Sequence, residues 1–589
     1  MKVKWKQSDP ALKSIKDVVI KNTGKTEEEL LNDTKKYKIK DLDKIIEKLE
    51  EAQKKGIFVT VVGDYDTDGV TASSEFELLL SSKGIKHRIR LPKRHTEGYG
   101  LNEKIIDEID EGILVTVDNG ISAIDAIAKA KKKGLYVIVM DHHQPKYDET
   151  GKIVLPDADI LIDPHAVAGQ ADFNYYCGAG LVYKLAEEWL KEDEPLLKTL
   201  NSLAAIGTVG DVVSLTEDNR KIVKSGLESI LTKGGRTIGM LKLMQVFNLS
   251  KRITAEDIGF SLSPAINACG RLGGPIAPEE AMQSFNLLTF NGSFDKAEEL
   301  ARKIAGRDLD PDISVNEMRK QLVKAADKKA EEIISDYVMY GEAPLILSIP
   351  DINEGIIGIV AGHLTERYMV PTIVFTNSNK DPNILKGSGR SIPGVDLKEL
   401  LDKCHSDLIG YGGHPGAAGM SIYKNKLDEF RAHMQEEIGD FEFEEKEQTY
   451  DLEITEADIE ELIPELDKYG PYGEGNPQPV FLIRGYKLYP KGTSLYSISG
   501  SEEEHISFFG SCTKANAFWL HDKYKEIGQP KYLNLIGTLD VSYYNGYPTY
   551  GIKVIDMEAA EEPKKKMTLL AKKFKEKTDS KRADQKKLF

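Results

Sequence analysis

The sequence predicts an α/β fold built on a doubly wound parallel sheet, and three stretches carry that prediction. IFVTVVGDYDTDG (57–69), ILVTVDNGIS (113–122) and LYVIVMDHHQP (135–145) each run an apolar, β-branched segment into a turn that bears acids or histidines. Continuous apolar runs of this kind read as strands buried on both faces. Helical stretches separate them, the alternation that gives a parallel sheet with crossover helices.

At 589 residues the chain predicts about three to five domains. It is 40% hydrophobic and 30% charged, an ordinary soluble balance. No apolar run approaches the roughly 18 residues that a membrane span needs. MKVKWKQSDPALKS has basic residues with no apolar core behind them, so neither a signal peptide nor a membrane association is expected. Cys177, Cys269, Cys404 and Cys512 lie far apart with no CxxC, which argues against disulfides and a zinc site and for the cytoplasm. The net charge of −16 decides nothing about nucleic acid, because binding depends on where positive charge is concentrated.

Residues 1–55 form a helical lead-in, exemplified by LDKIIEKLEEAQKK. Residues 56–218 hold the parallel sheet, with VTASSEFELLLSSKG as a helix after the first acidic turn and KHRIRLPKRHTEGYG as a strand and basic loop. Residues 219–340 read as a helical connector, in which the loop NACGRLGG places Arg271 between glycines and Pro311 breaks a long helical run. A second, smaller α/β domain spans 341–440 and carries the glycine-rich loops GSGRS and GYGGHPGAAG. Short strands across 447–560 suggest an OB-like β-barrel. Its aromatics Phe508, Phe509, Tyr543, Tyr544, Tyr547 and Tyr550 are either core or platforms for bases. Residues 563–589 are a basic tail, read as disordered and solvated or as a nucleic-acid contact.

In a doubly wound sheet, ligands bind beyond the carboxyl ends of the strands. That rule sends Asp64, Asp66, Asp68, Asp118, Asp141, His142 and His143 to one crevice. Taken alone, the histidines read as ordinary satisfied side chains; their place after a strand argues for ligation. Asp211, in IGTVGDVVSL, is either a helix cap or a further ligand. So many oxygens exceed one tetrahedral zinc and suit two divalent ions sharing a carboxylate, about 3.5–4 Å apart. An imidazole tilts the choice from Mg²⁺ towards Mn²⁺. Such a pair hydrolyses phosphoesters, and glycine-bracketed Arg390 and His414 would let charge and backbone amides approach a phosphate.

GDYDTDG, TVDNG, DHH and GTVGDVV, in that order, resemble the DHH phosphoesterases, and GYGGHPGAAG resembles the signature of their associated domain. EGYG (97–100), NACGRL (267–272), NEMR (316–319) and GNPQPVF (475–481), with a C-terminal barrel, narrow the likeness to the single-strand-specific 5′→3′ DNA exonucleases of that family. The resemblance covers about residues 45–560. It implies a two-ion Mn²⁺ or Mg²⁺ centre held by Asp64, Asp66, Asp68, Asp118, His142 and Asp211, with Asp118 bridging. It further implies that His143 helps hold the scissile phosphate and that Asp141 supports the histidines. Arg271, Arg390 and His414 would bind the DNA backbone or its 5′ end. AGRDLDPDI (305–313) looks like an insertion, so Arg307 stays unassigned. Two other readings are a DHH phosphodiesterase on small or short nucleotides and a non-catalytic replication scaffold. The former usually lack the barrel, and the latter have degraded ligand sets. A monomer is expected, with single-stranded DNA as partner. The terminal Gln585-Lys586-Lys587-Leu588-Phe589 resembles the QxxLF peptide by which bacterial DNA enzymes dock on a sliding clamp.

Overall fold

The structure, a computed structural model, describes residues 4–32, 34–192, 194–306, 313–337, 343–439, 447–500, 503–544 and 547–562. They fall into two units, one holding residues 36–213 and 217–439, the other holding 4–35, 214–216 and the C-terminal region. The N-terminal lead-in is therefore divided: its helix Leu42–Lys55 belongs with the parallel sheet, the residues before it with the C-terminal unit. Among the described residues, no helix is long and apolar enough to cross a membrane.

The first sheet contains β1 (Val59–Val62), β2 (His87–Arg90), β3 (Ile113–Val117), β4 (Tyr136–Met140) and β5 (Ile160–Ile162), in the order β2-β1-β3-β4-β5. Every neighbouring pair is parallel. The apolar runs are continuous because both faces are covered. Val59 and Val61 pack with Val115 and Ile138 on one side, while Val62 packs with Leu114 and Val137 on the other. Strand order reverses between β1 and β3, and Asp64 and Asp118 follow those two strands, at the switch point.

Helix α1 (Thr67–Ser82) begins earlier than expected, inside the acidic turn. Asp66 is its N-cap, accepting from the Gly69 amide at 3.0 Å, and Asp68 lies in its first turn. A carboxylate cap and an acid at the positive end of the helix favour that start. Helices α2 (Gly178–Trp189) and α3 (Pro195–Gly210) both pack on α1.

The expected loop around Arg271 is instead the end of helix α4 (Ser263–Leu272). Gly270 is needed there for packing, since a Cβ would fall 2.5 Å from the Tyr65 carbonyl oxygen. Helices Phe294–Ala305 and α5 (Val315–Tyr337) flank the connector's break; Arg307 and Pro311 lie outside the described residues.

The second sheet has β6 (Leu345–Ser348), β7 (Thr372–Asn377), β8 (Ile384–Arg390), β9 (Leu408–His414) and β10 (Ala417–Tyr423), ordered β9-β10-β8-β7-β6. Only β6 and β7 run parallel. Two glycine-rich stretches expected as loops are thus strands: GSGRS supplies the end of β8 and GYGGHPGAAG the β9–β10 hairpin. Gly387 and Gly389 face the Phe375 and Leu397 side chains, which leave no room for a Cβ.

In the other unit, a seven-stranded OB-like sheet comprises β11 (Leu452–Ile454), β12 (Phe481–Lys487), β13 (Tyr496–Ser499), β14 (His505–Phe509), β15 (Thr513–Ala517), β16 (Tyr532–Tyr544) and β17 (Tyr547–Ala559). The order is β11-β12-β16-β17-β15-β14-β13; among the described residues no pair closes it into a barrel. Phe508 is core, its ring 4.8 Å from that of Tyr524, and the half-buried Tyr550 donates to Glu460. Phe509 stays partly exposed, beneath the Lys491 ammonium. The side chains of Tyr543, Tyr544 and Tyr547, and the whole tail with Gln585–Phe589, lie outside the described residues.

Candidate active site

Each acid owes its position to a strand end or a helix end. Asp64 follows β1 and is fully buried; its Oδ1 accepts from the Gly100 amide at 3.2 Å, and its Oδ2 has no hydrogen-bond partner. Asp68 accepts two amides from the start of α2, Gly178 at 2.6 Å and Ala179 at 2.8 Å. Asp118 follows β3 in a left-handed conformation, φ 59°, and its Oδ1 is 3.1 Å from His142 Nε2. That nitrogen is also 3.7 Å from Asp68 Oδ2 and 3.6 Å from Asp211 Oδ2, Asp211 capping the end of α3. Ligand atoms of Asp64, Asp66 and Asp118, of Asp68, His142 and Asp211, and of Asp118, His142 and His143 lie within 4.8 Å of one another in each group.

Burial, and then this crowding, raises Asp64, Asp66, Asp118 and Asp211. Burial pushes Asp118 and Asp211 well above the usual range, and the Asp68 and Asp66 charges add to it. Asp64 is raised well above it by burial and then by Asp66, while Asp66 is raised by burial and then by Asp68. Neighbouring carboxylates cannot all ionise in a buried site unless a cation neutralises them. A carboxylate-rich set with one imidazole and an unsatisfied carboxylate oxygen fits two divalent cations. Burial, together with the neighbouring His143 charge, pulls His142 down to about 4, which leaves the neutral ring that ligation requires.

The other half of the motif is arranged differently. Asp141 Oδ1 accepts from the amides of His142 (2.8 Å) and His143 (3.2 Å) and from His143 Nδ1 (2.7 Å), while Oδ2 accepts from the Ile121 amide (2.8 Å). Burial alone would raise it, yet the His143 hydrogen bond and charge bring it down to about 2. Burial works against the His143 cation, but Asp141 outweighs it and lifts the imidazole to about 9. Asp141 therefore braces the pair, and His143 offers a positive charge beside the carboxylates.

Arg271, in the last turn of α4, reaches the Gly355 carbonyl at 3.4 Å. Burial lowers it to about 10, helped by the nearby positive charges of Arg94, Arg319 and Arg390 and opposed by Asp66. Three further guanidinium groups thus lie near Arg271, which itself feels the Asp66 charge, in a chain whose net charge is −16. Arg94 lies over the Tyr65 ring at 5.1 Å, Arg319 is held by Asn316 at 3.1 Å, and Arg390 by Ser388 Oγ at 3.2 Å. His414 sits exposed at the end of β9, paired with Ala417 across the hairpin.

Sequence reasoning did not single out Tyr99, Arg94, Arg319 or Asp163. Tyr99 and Arg319 lie in EGYG and NEMR, motifs that mark the family, so a signal for them existed. Arg94 sits in a basic loop with no periodicity. Asp163 follows the short β5 and is pushed up to about 8 by burial and by Asp141.

The chain matches the models for the DHH family N-terminal domain over residues 58–208, the DHHA1 domain over 342–440 and the RecJ OB domain over 450–556. It is 32% identical over 466 residues to the single-stranded-DNA-specific exonuclease RecJ of Bacillus subtilis, covering 77% of this chain and 55% of that protein. It is 31% identical over 490 residues to the protein of the same name from Haemophilus influenzae, covering 78% of this chain and 80% of that one. The crystal structure of RecJ in complex with Mn²⁺ from Thermus thermophilus has the same fold, with a TM-score of 0.73 and 24% identity over 93% of this chain and 76% of that one. With three matching models in chain order and relatives at this identity over most of their length, the chain belongs to the RecJ family of single-stranded-DNA-specific exonucleases.

Proposed function

We infer that the protein is a metal-dependent exonuclease that degrades single-stranded DNA from its 5′ end. One observation carries this reading: a buried carboxylate and histidine cluster at a sheet switch point has Arg271 close to Asp66, with three more arginines around Arg271 in the same unit. When bound, two Mn²⁺ or Mg²⁺ ions supply an activated water and a clamp for the leaving oxygen. Asp64, Asp66, Asp68, Asp118, His142 and Asp211 would hold them. His143, held by Asp141 and about one third exposed, orients the scissile phosphate. Arg271 and Arg390, with Arg94 and Arg319, hold the 5′ end, and His414 meets the backbone farther along. The OB-like unit grips unpaired strand, a common use of that fold.

Digestion of a single-stranded oligonucleotide carrying different labels at its two ends, with Mn²⁺, tests the reading. The 5′ label should be released first, and digestion should stall at duplex. Asp118→Ala should abolish cleavage while leaving DNA binding intact; turnover within tenfold of wild type would remove its bridging role. Initial release from the 3′ end overturns the polarity. A phosphodiesterase on short nucleotides would instead keep its activity when 447–589 is deleted.

The protein is expected to act as a cytoplasmic monomer; light scattering checks the mass. The QKKLF terminus fits a sliding clamp by its chemistry, with Leu588 and Phe589 entering an apolar pocket and Gln585 bonding at its rim. Burying two such side chains contributes roughly 1.5–3 kcal/mol each, enough for about micromolar binding after ordering costs. Titration of a labelled 575–589 peptide should saturate on the clamp, and Leu588→Ala with Phe589→Ala should eliminate the binding. A lack of saturation leaves a solvated tail.

A further inference from the structure

A single loop reaches three strand ends of the site. Tyr99 lies between Gly98 (φ 94°) and Gly100 (φ 56°), backbone conformations that only glycine adopts cheaply. A Cβ on Gly100 would also come within 3.0 Å of the Asn119 side chain. These two turns aim successive groups at different strands. The Gly100 amide donates to Asp64 Oδ1, after β1, at 3.2 Å, and the Leu101 amide donates to Asn119 Oδ1 at 3.0 Å. The Tyr99 hydroxyl donates to the Asp118 carbonyl oxygen, after β3, at 3.2 Å and lies against the edge of the His143 ring, after β4, 3.1 Å from Nε2 and 3.4 Å from Nδ1.

The hydroxyl meets both groups where each is least self-supporting. Asp118 holds φ at 59°, in the left-handed region that aspartate enters more readily than most residues but that is still less favourable than the extended one, and a hydrogen bond to its carbonyl oxygen helps to hold that turn. His143 is fixed at Nδ1 by Asp141, and the hydroxyl against the ring edge hinders the ring from turning about that single anchor. The Tyr99 ring is not a core element. It is 49% exposed and touches His143 and Tyr65 edge-on, with centroids 5.7 Å and 6.2 Å away.

We propose that Tyr99 is a positioning residue, whose hydroxyl locks the Asp118 peptide and the His143 ring to one another. It thereby sets the distance between the shared carboxylate and the phosphate-orienting imidazole. This rests on the two-ion nuclease reading, and the experiment separates the two.

Full-length Tyr99→Phe and Tyr99→Ala are compared with wild type in four measurements. These are Mn²⁺ affinity by calorimetry, kcat and KM on a 5′-phosphorylated single strand, DNA affinity in EDTA, and metal-free melting temperature. Loss of a group that orients a metal ligand lowers affinity or rate by about 10–100-fold. Tyr99→Phe should therefore lose about tenfold or more in kcat and bind Mn²⁺ more weakly, with KM, EDTA-state DNA affinity and melting temperature unchanged. Tyr99→Ala should lose little more kcat than Tyr99→Phe. If Tyr99→Phe keeps both kcat and Mn²⁺ affinity within threefold of wild type, the proposal is overturned; a raised KM in Tyr99→Ala alone would then identify a base platform. A fall in kcat that comes with a lower melting temperature and higher KM also overturns it, as a general structural role. Should wild type show no nuclease activity, the function reading fails by itself, and Mn²⁺ titration of Tyr99→Phe still decides the role of the hydroxyl.

Discussion

Asp68 and Gly178 lie 110 residues apart, yet the Gly178 amide donates to the Asp68 carboxylate at 2.6 Å. Ala179 adds a second amide at 2.8 Å, so the positive end of α2 faces a carboxylate at the start of α1. Glycine is required there because a Cβ would sit 2.5 Å from Asp118 Cβ and 3.0 Å from Asp68 Oδ2.

Gly178→Ala should therefore pry Asp68 and Asp118 apart. Overpacking of this kind costs about 1–3 kcal/mol. Urea denaturation of the metal-free protein should show that loss, and calorimetry should show weakened Mn²⁺ binding. Wild-type values in both would mean that α2 shifts freely and does not set the site.

The Asp141–His143 pair gives stability a defined pH window. His143 is raised from 6.5 to about 9, so its contribution is full below about 6.5 and is lost as pH rises through about 9. Asp141 is lowered from 3.8 to about 2, so its contribution is full above about 3.8 and is lost as pH falls through about 2. Asp141→Asn should destabilise the metal-free protein most between those limits, at about pH 4–6.5, and much less near pH 10. Denaturation of both proteins at about pH 6 and about pH 10 checks this; equal differences at the two values would show that the pair is not coupled.

Arg390 reads as a phosphate-binding cation. Removing one such cation from a site for single strands lowers the slope of log K against log salt by about 0.7. Arg390→Gln should show that change by fluorescence anisotropy on a 5′-phosphorylated oligonucleotide, with weaker binding at every salt concentration. An unchanged slope would take Arg390 off the path of the DNA.

The strands of the first sheet and the acids beyond them are legible because a strand covered on both faces leaves an uninterrupted apolar run. Asp64, Asp118 and Asp141 follow such runs directly, and the topology rule then brings them together. The glycine-rich segments read as loops, yet form a helix end and strands, for a tertiary reason. Gly270, Gly387 and Gly389 are small because Tyr65, Phe375 and Leu397 press on them, neighbours that only the tertiary fold brings into contact. The start of α1 reads late because Asp66 and Asp68 look like turn residues until one acts as a cap. Tyr99 and Arg94 stand in an irregular loop with no period to reveal which way they point.

The proposed chemistry rests on a pair of ions sharing Asp118. Its most direct test is an anomalous difference map from crystals of the protein soaked in Mn²⁺. Two peaks about 3.5–4 Å apart should appear on either side of the Asp118 carboxylate, one against Asp64 and Asp66 and the other against Asp68, His142 and Asp211. A single peak, or a pair that leaves Asp118 unliganded, would contradict it.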